Sequence, residues 1–163
     1  MTKALSIVGS SRSNGEREKN DFYPTPSYAV EELLKREDFN GNIWECACGE
    51  GDISEVFLKN GFEVRSSDLI DRDYGIVENF FEADYVADNI VTNPPFKYAL
   101  EFVNEAKKKS NGKIAMFLKT VYQFSKRVTL YKDGVKMKNS GMIAYAWYVW
   151  EKGYCGKPTL EWI

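Results

Sequence analysis

The sequence predicts an α/β fold, a doubly wound and mostly parallel sheet, and three observations predict it. Apolar residues recur at helical spacing in three separate segments. Short apolar runs of strand length lie between those segments. Glycines, acids and prolines collect where the strands end, and the loops beyond the strand tips are where such sheets bind ligands.

Taken in order, residues 27–36 carry Ala29, Val30, Leu33 and Leu34 on one helical face. Asn40-Gly41-Asn42 is a turn, and residues 43–47 form a buried strand. Residues 52–60 are helical again, with Ile53, Val56 and Phe57 inward and Gly61 closing the helix. Residues 62–67 are read as a second strand, 76–81 as a third and 87–92 as a fourth that ends at two prolines. Residues 98–109 make an amphipathic helix with Ala99, Phe102, Val103 and Ala106 inward, and 113–118 a fifth strand. Residues 121–124 and 143–149 are strand-like and rich in aromatics. A polar, charged start makes residues 1–20 a disordered lead-in, which leaves 21–163 as one domain.

Composition narrows the chemistry. Of 163 residues 44% are apolar, enough for a core, yet no apolar run approaches bilayer length. The N-terminus lacks a secretory pattern, so a cytoplasmic location is expected, with no membrane partner. Cys46, Cys48 and Cys155 are too few and too poorly spaced for a disulfide framework or a zinc site, so no metal is expected. There is no histidine, which removes the commonest general base. The net charge is −2, but residues 119–138 hold six basic residues (Lys119, Lys126, Arg127, Lys132, Lys136 and Lys138) against the single acid Asp133. Such a patch suits a phosphate backbone, and a solvated strand-and-turn surface explains the same charges.

Two strand loops carry candidate sites. The first strand runs through Glu45, Cys46, Gly49 and Gly51 into a helix, and glycines there let backbone approach a ligand closely. The spacing fits neither a phosphate-binding loop nor the dinucleotide fingerprint. Asp68 ends the second strand, where a carboxylate commonly holds ribose hydroxyls. After the fourth strand come Asn93, Pro94, Pro95 and Phe96. Consecutive prolines fix the backbone, so the Asn93 side chain and nearby carbonyls form rigid acceptors beside an aromatic ring. Rigid acceptors of this kind bind the hydrogens of a planar amino group and stabilise positive charge that grows on its nitrogen. The ring offers a surface on which a base taken out of a duplex can stack.

These residues resemble class I S-adenosylmethionine-dependent methyltransferases, most closely phage-type DNA N6-adenine methyltransferases. The resemblance covers about residues 21–163 and rests on ordered pieces: Phe22-Tyr23-Pro24-Thr25-Pro26, the stretch from Glu45 to Gly51, Asp68, Asn79-Phe80, and Asn93 to Phe96. It implies S-adenosyl-L-methionine as cofactor, held by Tyr23, Thr25, Pro26, Glu45, Cys46, Gly49, Gly51, Asp68, Asn79 and Phe80. Asn93, Pro94, Pro95 and Phe96 would then carry catalysis. The implied product is N6-methyladenine in DNA, made without metal in the cytoplasm, or in the host's for a phage chain. The alternatives are a base-amino methyltransferase acting on RNA, and a non-catalytic nucleic-acid-binding protein that keeps the fold. A partner subunit or homo-oligomer would serve target recognition, since no separate recognition domain is present.

The same resemblance implies that the aromatic tail closes the sheet as an antiparallel strand. Trp147 and Val149 are read as packed residues of that strand. Tyr154 and Lys157 are read as candidates for nucleic-acid contact, together with Lys126, Arg127, Lys136 and Lys138. Two departures stand out. Asn79 replaces an acid that would face the cofactor adenine. Residues 118–121 leave no room for the helical crossover that a parallel neighbour needs, so either the chain lacks that crossover or, as the normal flanking strands favour, a segment is missing between Leu118 and Val121.

Overall fold

The computed structural model describes residues 23–120, 131–132, 135–136 and 144–159. The elements are α1 (Ser27–Leu34), β1 (Ile43–Glu45), α2 (Asp52–Lys59), β2 (Val64–Asp68), β3 (Ile76–Val77), β4 (Asn89–Thr92), α3 (Ala99–Lys109), β5 (Lys113–Thr120), β6 (Tyr131–Lys132), β7 (Val135–Lys136) and β8 (Ala144–Glu151). Six strands form one sheet in the order β3-β2-β1-β4-β5-β8, and β6 and β7 make a separate antiparallel pair. Strands β1 to β5 run parallel and β8 runs antiparallel to β5, as the sequence predicts.

Alternation along the strands feeds two cores, because successive side chains point to opposite faces. Ile43, Val91 and Ala115 pack beneath α1 and α2 with Val30, Leu33, Ile53 and Phe57. Trp44, Ile90, Ile114 and Met116 pack on the other face with Phe102, Val103 and Ala106 of α3. Trp44 is fully buried, and its indole N–H donates to Ser67 Oγ at 2.9 Å, so the ring carries no unpaired donor into the core. Trp147 and Val149 pack on the α1 and α2 face as read from the sequence, and Trp147 Nε1 donates to the Ala29 carbonyl at 2.8 Å.

The structure corrects several boundaries. The first strand stops at Glu45, and Cys46 and Ala47 lie in a turn. The second runs Val64–Asp68, and the fourth begins at Asn89. The expected third strand over 76–81 shrinks to Ile76–Val77. Asn79 Oδ1 accepts from the Phe81 N–H, and the Asn79 carbonyl accepts from Glu82 and Ala83. A side chain that bonds local backbone competes with the strand ladder and turns the chain.

The fifth strand continues through Leu118, Lys119 and Thr120, each paired with a residue of β8. Leu118, Lys119 and Thr120 are continuous in this strand, and the remaining step to Val121 lies outside the described residues. The strand's neighbour is antiparallel and needs no long crossover. Val121 and the predicted strand over 121–124 lie outside the described residues, as do residues 1–22 of the lead-in and motif.

Candidate active site

The tips of the parallel strands open onto one cavity of about 1080 Å³. Its walls come from the loops after β1, β2 and β4 and the end of β5, together with the segment before α1 and the turn around Asn79. The two loops singled out in the sequence therefore share a space. Glu45, Cys46 and Asp68 line it on one side, and Asn93, Pro95 and Phe96 on the other.

On the first side, the chain leaves β1 through a turn that only glycine fits. Gly49 and Gly51 have φ of 56° and 89°, in the left-handed region that other residues adopt at a cost. A Cβ at Gly51 would overlap the Tyr74 ring, so the position is closed on both conformational and steric grounds. The turn is tied to β2, since the Cys48 N–H donates to the Ser67 carbonyl at 3.0 Å. Asp68 completes it: Oδ2 accepts from the Gly49 N–H at 2.8 Å and Oδ1 from the Ile70 N–H at 2.9 Å. Each carboxylate oxygen keeps further acceptor capacity toward the cavity.

Glu45 is 2% exposed and sits beneath this turn. Its Oε2 accepts from the Ser54 N–H at 2.8 Å and from the Ser54 hydroxyl. Burial outweighs those bonds and pushes the carboxyl up to about 8, with Asp52 and Asp68 adding to the rise, so the group is protonated at neutral pH. Burial likewise pushes the Cys46 thiol up and Cys48 to about 12. Neither thiol is an activated nucleophile.

On the second side, Asn93 follows β4 and is held by its donor end. Its Nδ2 donates to the Tyr23 carbonyl at 3.0 Å and to Thr25 Oγ1 at 3.0 Å. Two acceptors on the nitrogen fix which way the amide lies. Among the described residues its Oδ1 has no partner. Phe96 begins a short 3-10 turn, Phe96–Tyr98, and stacks with Tyr23 at a centroid distance of 6.0 Å and 26° between planes. Tyr145 of β8 adds a third ring, 5.9 Å from Phe96.

The remaining sequence candidates divide. Tyr23, Thr25, Asn79 and Phe80 also line the cavity. Pro26, Gly49, Gly51 and Pro94 are not among its lining residues; Pro94 is fully buried and the two glycines shape the turn from behind. Tyr154 is exposed and away from the cavity, its hydroxyl donating to the Lys157 carbonyl at 3.1 Å. Lys136 belongs to β7, while Lys126, Arg127 and Lys138 lie outside the described residues.

Sequence reasoning missed three features. Ile70 and Phe81 join Phe80 as apolar wall, Lys119 enters from the end of β5, and Thr25 bonds Asn93. Lys119 was visible only as one member of a basic run. The bond between Thr25 and Asn93 spans 68 positions and has no local signal. Phe80 is fixed from behind, because the nearly buried Lys109 donates to its carbonyl at 2.6 Å.

No protein-family model matches the chain, and no curated protein does. Solved structures do. The glycopeptide N-methyltransferase MtfA complexed with S-adenosyl-L-methionine is 17% identical, with 70% of this chain and 58% of that chain covered and a TM-score of 0.50. The same enzyme complexed with sinefungin is 15% identical, with coverage of 82% and 70% and a TM-score of 0.50. The magnesium protoporphyrin IX methyltransferase of Synechocystis PCC 6803 is 14% identical at a TM-score of 0.46, too low to bear on the argument, and 55% of each chain is covered. The chain spans little more than half the length of the first and third of these structures. At such identities a likeness establishes fold and nothing finer, and the fold it establishes is the Rossmann-like one of these methyltransferases.

Proposed function

We propose that the chain is an S-adenosylmethionine-dependent methyltransferase acting on the N6 amino group of adenine in DNA. The observation that carries this reading is the shared cavity: the Asp68 side and the Asn93 loop open onto one space, so a donor and an acceptor can meet there. At about 1080 Å³ the cavity exceeds what one small ligand usually fills.

The residues present fit the cofactor. Asp68 keeps acceptor capacity for ribose hydroxyls, and Ile70, Phe80 and Phe81 offer apolar wall for a purine. The glycine turn brings backbone close behind them. When bound, S-adenosylmethionine supplies a methyl group activated by its sulfonium charge.

The chain's own part is positioning and charge stabilisation. Asn93, locked by Tyr23 and Thr25, presents an oxygen that accepts a hydrogen from the substrate amino group. Positive charge growing on that nitrogen strengthens the hydrogen bond without any rearrangement of the protein. Phe96, with Tyr23 and Tyr145 beside it, gives an extruded base an aromatic face. Fixing both reactants in line supplies much of the acceleration. No histidine exists to act as base, and the proton leaves to water after transfer.

The test is methyl transfer from isotopically labelled S-adenosylmethionine to matched DNA and RNA oligomers, with the modified atom mapped. Label at N6 of adenine in DNA supports the proposal. Label only in RNA replaces its substrate, and cofactor binding without any transfer supports the non-catalytic alternative.

A further inference from the structure

The ionisable groups differ between the two sides of the cavity. Asp52, Asp68 and Arg72, with the neutral Glu45 carboxyl, line the β1 and β2 side, whereas Lys97 and Lys119 line the side that holds Asn93 and Phe96. Lys119 is half-buried at the C-terminal end of β5. Its Nζ lies 4.4 Å from the Phe96 ring centroid and 5.6 Å from that of Tyr23. Lys97 Nζ lies 5.1 Å from the Tyr98 ring. Among the described residues neither ammonium pairs with a carboxylate, although Lys35, Lys108, Lys109 and Lys113 all do.

A half-buried ammonium that rests on ring faces and lacks an anion is under-satisfied, since ring contacts are weaker than charge-assisted hydrogen bonds. An anion carried by a ligand would be a stronger partner for Lys119 than these rings, and it would sit beside a planar group, because the same rings are the surface on which that group stacks.

Resting on the methyltransferase reading above, we infer that the acceptor side of the cavity takes its base as a nucleotide, with Lys119 pairing to the phosphate next to the base. On arrival the ammonium leaves the Phe96 face for a phosphate oxygen, and the ring it covered becomes free for the base. Lys97, exposed at the mouth, makes the weaker second contact. The phosphate of a mononucleotide and that of a polynucleotide present the same chemistry to Lys119.

The experiment measures binding by calorimetry, on the full chain, for 2′-deoxyadenosine, 2′-deoxyadenosine 5′-monophosphate and a short single-stranded oligodeoxynucleotide with one adenine. Methyl transfer to the same three compounds is measured in parallel. The expected result is at least about tenfold tighter binding of the phosphate-bearing compounds than of the nucleoside. Lys119→Met removes most of that advantage, so that nucleoside and monophosphate bind with similar affinity, and Lys119→Arg retains it. Preference for the oligomer over the monophosphate assigns the phosphate to a strand, and equality assigns it to the nucleotide itself. Equal wild-type affinities for nucleoside and monophosphate would overturn the inference, as would a Lys119→Met loss shared by all three compounds. If the phosphate advantage appears but no compound is methylated, the phosphate site stands and the methyltransferase reading fails. If nucleoside and nucleotide are bound and methylated alike, the reverse holds.

Discussion

At the tips of β1 and β2 the Asp68 and Glu45 carboxyls already hold hydrogen bonds within the protein, whereas at the tips of β4 and β5 the Asn93 oxygen and the Lys119 ammonium have no such partner among the described residues. Both Asp68 oxygens hold backbone N–H groups, Glu45 holds Ser54, and the Gly51 turn is closed by the Tyr74 ring. Across the cavity, the Asn93 oxygen has no protein partner among the described residues, and Lys119 rests on rings rather than on a carboxylate. The first side is tied together by its own hydrogen bonds before any ligand comes. The second fixes only the orientation of its groups and reserves their acceptors and charge for a ligand. Changes on the first side should therefore register in folding and cofactor affinity, and changes on the second in turnover.

The largest expected effect on the finished side comes from Glu45. Its carboxyl, ordinarily near 4.5, is held neutral in the fold up to about 8. A raised native value favours the folded protein fully below pH 4.5, and that favour is lost as pH climbs to 8, because the unfolded chain ionises first. Denaturant titrations of wild type and Glu45→Gln across that window should diverge, the wild type losing on the order of 4 kcal/mol relative to the variant. Parallel curves would mean that the carboxyl is not held neutral.

Next is Gly51→Ala. Its φ of 89° and the overlap with the Tyr74 ring predict a loss of about 3 kcal/mol in stability together with weaker cofactor binding. Unchanged melting would show that the turn yields easily and is no cradle.

On the open side, Thr25→Val removes one of the two acceptors that orient the Asn93 amide. With only the Tyr23 carbonyl left to hold it, the amide is less firmly oriented, so kcat should fall by roughly tenfold while the cofactor affinity holds. Thr25→Ser should restore most of the rate. A fall in cofactor affinity instead would return Thr25 to a direct contact with the cofactor.

The two sides were unequally legible in the sequence. Helical spacing and apolar runs located α1, α2, α3 and five of the sheet's six strands to within a few residues. Asp68 and Asn93 could be picked as candidates because strand-end position and residue type carry local information, and both line the cavity. The third strand was overread, because the side-chain bond from Asn79 to the Phe81 N–H outcompetes a ladder that apolar composition suggests. The far edge was read as closing on an antiparallel tail, and β8 pairs antiparallel with β5. What stayed hidden was long-range: Thr25 reaches Asn93 across 68 positions, and the place of Lys119 beside Phe96 has no local signal within its basic run.

The central claim, that one cavity joins a cofactor cradle to a separate acceptor loop, is tested most directly by one pair of variants measured two ways. Calorimetry with S-adenosylhomocysteine and labelled methyl transfer to adenine-containing DNA are applied to Asp68→Ala and Asn93→Ala. The account predicts that Asp68→Ala loses cofactor affinity, while Asn93→Ala binds within about twofold of wild type and transfers at least about a hundredfold more slowly. Equal loss of binding in both variants, or transfer by Asn93→Ala at the wild-type rate, would contradict it.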